Sequence, residues 1–73
     1  MNSKELKKQL QQMGISANLY NLDGIGRVDE RFCLDFSDGI WHVFFCERGK
    51  KTTNKKFISE DEACKFILEQ LSQ

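Results

Sequence analysis

The chain has 73 residues, and its eleven basic and eleven acidic side chains give a formal net charge of zero. A chain of this length forms one small domain, residues 1–73, with little room for a deep catalytic cleft beside a core. The neutral balance argues against a dedicated nucleic-acid binder, because such proteins usually carry a basic excess.

The cysteines and the N-terminal segment predict a cytoplasmic protein with reduced thiols. The three cysteines are odd in number and far apart, whereas exported small domains more often show an even disulfide framework. The N-terminal residues lack the apolar core of a signal peptide. The longest apolar run, residues 43–46, is far too short to span a membrane.

A first amphipathic helix is predicted near the N-terminus. Ser3 is a suitable N-cap, and Leu6, Leu10 and Met13 recur at the spacing of one helical face. Gly14 fits the left-handed residue that commonly ends a helix.

Residues 16–30 carry weaker signals. Residues 19–22 fit either a short edge strand or part of a loop, and residues 23–26 form a turn cluster. Gly24 and Gly26 do not make a dinucleotide-binding loop, because no third glycine, preceding strand or following helix accompanies them.

A β-hairpin is predicted for residues 31–47, with Asp38-Gly39 as a two-residue turn. This turn would pair large apolar side chains on one face, which we expect to be the core. The pairs are Phe36 with Trp41, Leu34 with Val43, and Phe32 with Phe45.

The opposite face of the hairpin mixes apolar and ionisable side chains. We expect it either to be covered in part by a helix or to meet a partner. A homodimer joined through Phe44 on this face is a further possibility, which could coexist with either of the two functions considered below. The residues of this face are Arg31, Cys33, Asp35, Ile40, His42, Phe44 and Cys46.

A third strand and a closing helix complete the predicted order. If residues 49–51 form a three-residue turn, the strand 52–58 places Phe57 opposite Val43 and Lys56 beside Phe44. Ser59 and Glu62 form a capping box at the start of the last helix.

The closing helix is expected to bury a stripe of Ala63, Phe66, Ile67 and Leu71, flanked by Cys64 and Leu68. The predicted fold is therefore α+β, a single small domain of helix, three-stranded antiparallel sheet and helix.

No residue pattern predicts an enzyme, a metal site or a cofactor. Asp35 could raise the basicity of His42 across the hairpin, but no nucleophile can be placed beside them, which favours a polar pair on the sheet surface. The cysteines lack the closely spaced pairs that structural zinc sites show.

A basic segment leaves RNA binding as the alternative. The predicted element order is also that of double-stranded RNA-binding domains. Those domains place lysines at the start of the last helix, however, whereas this helix begins with three acids at residues 60–62 that would repel phosphate. The residues that would bind RNA are Arg48, Lys50, Lys51, Lys55 and Lys56.

In the second half of the chain, a strand ending in Glu47-Arg48-Gly49 is followed by a Lys/Thr strand and by an acidic-capped helix with Ala63-Cys64 before Phe66. This pattern resembles the small immunity proteins encoded beside bacterial polymorphic and contact-dependent growth-inhibition toxins. The similarity extends to residues 19–24. The loop of residues 25–28 departs from the family pattern, which has more Pro and Asn there.

The resemblance implies a non-catalytic inhibitor that binds a cognate toxin, often a nuclease, and blocks or distorts its active site. Such interfaces depend on a few buried aromatic or arginine side chains with complementary charge. The expected contact residues are Tyr20, Asp23, Asp29, Glu30, Phe44, Glu47 and Arg48.

Overall fold

The computed structural model describes residues 1–24 and 29–73, so residues 25–28, which were predicted to be part of a turn cluster and loop, lie outside the described part of the chain. Two helices and a four-stranded mixed sheet form an α+β fold. In chain order the elements are α1 (Ser3–Gln12), a 3₁₀ turn (Ala17–Leu19), β1 (Tyr20–Asn21), β2 (Arg31–Ser37), β3 (Ile40–Glu47), β4 (Lys50–Phe57) and α2 (Glu60–Leu71).

The sheet has the strand order β1-β2-β3-β4. The three predicted antiparallel strands are present as β2, β3 and β4. The short edge strand also forms, as β1, and runs parallel to β2 with Tyr20 opposite Phe32.

The first helix begins one residue earlier than predicted. Asn2, and not Ser3, is the N-cap, because its side-chain oxygen accepts the backbone N–H of Glu5 at 2.9 Å. The Glu5 carboxylate accepts the Asn2 N–H in return at 3.3 Å, which completes a capping box.

The predicted end of α1 is confirmed. Gly14 has a φ of 76°, and the N–H of Ile15 donates to the carbonyl of Leu10, as in a Schellman motif. Leu6 and Leu10 are fully buried, but Met13 lies beyond the last helical residue and is 47% exposed. The buried stripe therefore stops at Leu10.

The register of the β2–β3 hairpin is the predicted one. Asp38 and Gly39 have φ values of 53° and 75°, as a two-residue type I′ turn requires. Leu34 and Val43 are buried, whereas Phe36 is 55% exposed, and its ring centroid lies 4.6 Å from that of Trp41. The prediction of a buried core face is thus confirmed at the centre of the hairpin, whereas near the Asp38-Gly39 turn this face is exposed to solvent.

The predicted register of β4 is wrong. Arg48 and Gly49 alone form the turn, with φ values of 51° and 79°, so β4 already begins at Lys50. An irregularity between the partners of Val43 and Phe45 then adds one residue to β4 at a bulge, where Thr53 has a φ of 50°.

The shift changes two predicted neighbours. Phe57 pairs with Trp41 and not with Val43, and Lys56 pairs with His42 and does not lie beside Phe44. The prediction failed because it lengthened the turn and left out the bulge.

Both helices pack on the Leu34–Val43 face of the sheet. In α2 the buried side chains are Ala63, Cys64 and Ile67, so Cys64 belongs to the buried stripe and does not merely flank it. The predicted N-cap is confirmed, since the Ser59 hydroxyl oxygen accepts the N–H of Glu62 at 3.2 Å. The predicted capping box is only half formed, because among the described residues the Glu62 carboxylate does not accept the N–H of Ser59 in return.

The N-termini of the two helices are tied together by the first acids of α2. The Glu60 carboxylate accepts the backbone N–H of Ser3 at 3.0 Å, and Asp61 contacts the Met1 amino group at 2.6 Å. The hydrogen bond from Met1 lowers the pKa of Asp61, and the same bond raises the pKa of the Met1 amino group. These acids therefore serve the packing of α1 on α2.

Candidate functional site

The face of the sheet turned away from the helices is the candidate site, and we call it the open face. Side chains alternate along strands, so this face is the one opposite Leu34 and Val43. No helix in the described chain packs against it. It carries Arg31, Cys33, Asp35, Ser37, Ile40, His42, Phe44, Cys46, Lys51 and Lys56.

An aromatic ring lies at the centre of the open face beneath a cation. Phe44 is half-buried, and the Lys51 ammonium lies 4.5 Å from its ring centroid. Lys51 reaches this ring because it pairs with Cys46, two residues along β3, while the β4 bulge lies opposite Phe44 itself. Such a contact fixes a flexible lysine above an aromatic surface.

A row of ionisable side chains crosses the three long strands next to Phe44. His42 lies opposite Asp35 on one side and opposite Lys56 on the other. The pairing of Asp35 with His42 is the predicted one.

This row and Phe44 border an open groove. The groove has a volume of about 320 Å³ and is lined by Asp35, Ser37, His42, Phe44, Lys51, Asn54 and Lys56.

The two thiols of the open face are buried. Burial raises the pKa of Cys33 to about 11, with a further contribution from neighbouring Cys46. Cys46 lies with its thiol 3.9 Å from a carboxylate oxygen of Asp29. In residues 1–24 and 29–73, no three His, Cys, Asp or Glu side chains are grouped so that they could hold a metal ion.

Four of the seven expected contact residues meet at one end of the sheet. Asp29 bridges to Cys46, and the N–H of Glu30 donates to the Cys46 carbonyl. Glu47 follows Cys46, and Arg48 occupies the β3–β4 turn. All four are exposed, so this end of the sheet presents three acids and one arginine beside the open face.

The other three expected contact residues are dispersed. Phe44 is on the open face, but Tyr20 is only 5% exposed and its ring belongs to the core. Asp23 is exposed beyond β1, where it lines a separate cavity of about 190 Å³ with Lys7 and Arg31. Tyr20 therefore presents almost no surface to a partner.

The residues of the RNA-binding alternative are divided between the two faces of the sheet. Lys51 and Lys56 are on the open face, whereas Lys50 and Lys55 pair with Glu47 and Val43 and so alternate to the helix side. Arg48 lies in the turn between them. The five cations do not form one continuous patch.

Sequence reasoning missed the contact of Lys51 with Phe44 and the part that Asn54 and Ser37 have in the groove. Arg48-Gly49 carries a signal for a two-residue turn, since glycine readily takes the positive φ that such turns need. The bulge at Thr53 has no comparable signal, because a β-branched residue is disfavoured at positive φ.

Comparison of the chain with protein-family models, curated proteins and solved structures finds no match. Within the described residues, neither helix has the length and apolar character needed to cross a bilayer.

Proposed function

We propose that the chain is a non-catalytic immunity protein that binds a bacterial toxin domain in the cytoplasm and neutralises it. The observation that carries this proposal is the open face itself, where the half-buried Phe44 lies under Lys51 on a sheet surface that no helix in the described chain covers. Aromatic side chains at the centre of a polar surface are typical anchors of protein interfaces.

The mixed charge of the surface supports a protein partner. Asp35 lines the groove with two lysines, and the end of the sheet near Cys46 carries Asp29, Glu30 and Glu47. Interspersed charges of both signs suit recognition of one complementary protein surface. They suit a uniformly negative phosphate backbone less well.

The geometry of the polar side chains supports a role without catalysis. Asp35, His42 and Ser37 all line the groove, yet in the described part of the chain no hydrogen bond joins His42 to either residue. A nucleophile activated by a base would normally lie within hydrogen-bond reach of it.

The experiment is co-expression of this chain with the toxin domain encoded beside it. We expect cells to survive with the wild-type chain, and we expect Phe44→Ala to weaken survival by removing the central ring. Ile58→Ala is the matched control, since Ile58 is 89% exposed just after β4 and lies outside the open face. Equal death with and without the wild-type chain would contradict the proposal.

A second candidate function is RNA binding, and one observation favours it. Glu60 and Asp61, whose charges argue against a phosphate-binding helix, are already engaged by Ser3 and Met1. This function predicts binding that weakens steeply with salt and is abolished by Lys50→Glu with Lys51→Glu. If the chain shows no RNA affinity at low salt, this second function is wrong.

A homodimer through the Phe44 side of the sheet is compatible with either function. Sedimentation of the chain as a monomer at high concentration would contradict it.

A further inference from the structure

We infer that the groove on the open face receives a carboxylate side chain, Asp or Glu, from the bound protein partner. The carboxylate would lie between the ammonium groups of Lys51 and Lys56, beside Phe44. This inference rests on the proposed function, since it names the chemistry by which the toxin would be recognised.

The charge of the groove is the first reason. Two lysines, Lys51 and Lys56, line the groove against a single acid, Asp35. Among the described residues, neither Lys51 nor Lys56 forms an ion pair with a carboxylate. An incoming carboxylate would therefore supply the charge that this surface lacks.

The position of Lys51 is the second reason. Its ammonium is already placed 4.5 Å from the centroid of the Phe44 ring, so less side-chain freedom is lost when it binds an anion. Hydrogen bonds between ionised groups are about twice as strong as neutral ones.

The same geometry distinguishes a carboxylate from a nucleic acid. Single-stranded nucleic acids bind protein aromatics by stacking a base on the ring face. Lys51 already lies over the Phe44 ring, so a base would have to displace its ammonium group to stack there.

The chain offers a closely matched pair of variants. Lys51→Glu with Lys56→Glu reverses two charges on the open face. Lys50→Glu with Lys55→Glu reverses two charges on the same strand but toward the helix side. Both double variants change the net charge equally, so they separate a contact in the groove from general electrostatic attraction. All four lysines are exposed, and thermal melts verify that both variants fold.

The first measurement is calorimetric titration of the purified toxin domain. We expect the open-face variant to lose at least about tenfold in affinity and the helix-side variant to lose less than about threefold. If the wild-type chain binds tightly and the two variants lose equal affinity, or neither loses any, the inference of a carboxylate in the groove is wrong. The proposed function would still stand in that case.

The second measurement does not need the toxin. Acetate, compared with chloride at constant ionic strength, should shift the amide resonances of Phe44, Lys51 and Lys56 in the wild-type chain and in the helix-side variant, but not in the open-face variant. An absence of these shifts would overturn the inference. If acetate shifts these resonances but the wild-type chain fails to bind the toxin, the groove binds a carboxylate and the proposed function is wrong.

The third measurement adds a single-stranded RNA oligonucleotide in place of acetate. We expect no binding by the wild-type chain at physiological salt. If the wild-type chain binds RNA and only the open-face variant loses this binding, the groove binds phosphate and the inference of a carboxylate is wrong.

Discussion

Phe57 lies directly opposite Trp41 in the β3–β4 ladder. From Glu47 and Lys50 onward, an unbroken ladder would instead place Phe57 opposite Ile40, on the open face. The bulge at Thr53 corrects the alternation and returns Phe57 to the helix side, where its ring lies 5.5 Å from that of Phe66. One residue in an exposed edge strand thus decides which aromatic side chains join the core.

The first prediction concerns backbone strain at the β4 bulge. Thr53 has a φ of 50°, and a non-glycine residue in this region costs roughly 1–2 kcal/mol. We expect Thr53→Gly to raise the free energy of unfolding by about 0.5–1 kcal/mol, after allowing for the greater freedom of glycine in the unfolded chain. The neighbouring Thr52→Gly should lower it by a similar amount, because Thr52 is paired within the strand. Urea unfolding of both variants tests the contrast, and equal destabilisation by the two would contradict it.

The β3–β4 turn makes a prediction that separates stability from binding. Arg48 has a φ of 51°, whereas asparagine tolerates this conformation far better. We expect Arg48→Asn to raise the free energy of unfolding by about 0.5 kcal/mol and yet to weaken toxin binding. Asp38→Asn, at the equivalent position of the other hairpin, should leave toxin binding unchanged. Chemical unfolding and calorimetric titration measure the two effects, and unaltered affinity in Arg48→Asn would exclude a contact role for Arg48.

The packing of α2 makes a prediction about the core. Ile67 is fully buried against the sheet, so Ile67→Ala leaves a cavity and should cost about 2–5 kcal/mol of unfolding free energy. Ile58 is 89% exposed, and Ile58→Ala should change stability by less than about 0.5 kcal/mol. Thermal melts of the two variants provide the comparison. A loss below about 1 kcal/mol at Ile67 would mean that α2 packs less tightly than described.

A further prediction concerns how the contact between the helix N-termini makes stability depend on pH. The hydrogen bond from the Met1 amino group, followed by that from Lys65, holds the pKa of Asp61 below its ordinary value. Folding therefore favours the ionised form of Asp61. Its contribution to the free energy of unfolding is present above the ordinary pKa of an aspartate, and it is lost as the pH falls through the lowered pKa of the folded state. We expect Asp61→Asn to be less stable than wild type at neutral pH and nearly equal to it in strong acid. Unfolding curves across this range that remain parallel would contradict the prediction.

The local signals in the sequence were sufficient for much of the fold. Gly14 ends α1, Ser59 caps α2, and Asp38-Gly39 sets the β2–β3 register. Each of these features depends on residues within a few positions of one another, and the side chains themselves determine the hydrogen bond or the sign of φ. They also placed Phe44 on the face opposite the core.

Tertiary structure decided the part of the candidate site that lies beyond the β3–β4 turn. The turn at Arg48-Gly49 pairs Lys51 with Cys46, whereas the later bulge at Thr53 brings Lys56 opposite His42 and Phe57 opposite Trp41. Phe57 then packs on Phe66 in the second helix. Tyr20 became a core residue because β1 pairs with β2. Contacts between segments distant in sequence determine these positions, and no local pattern encodes which of several registers buries the most apolar surface.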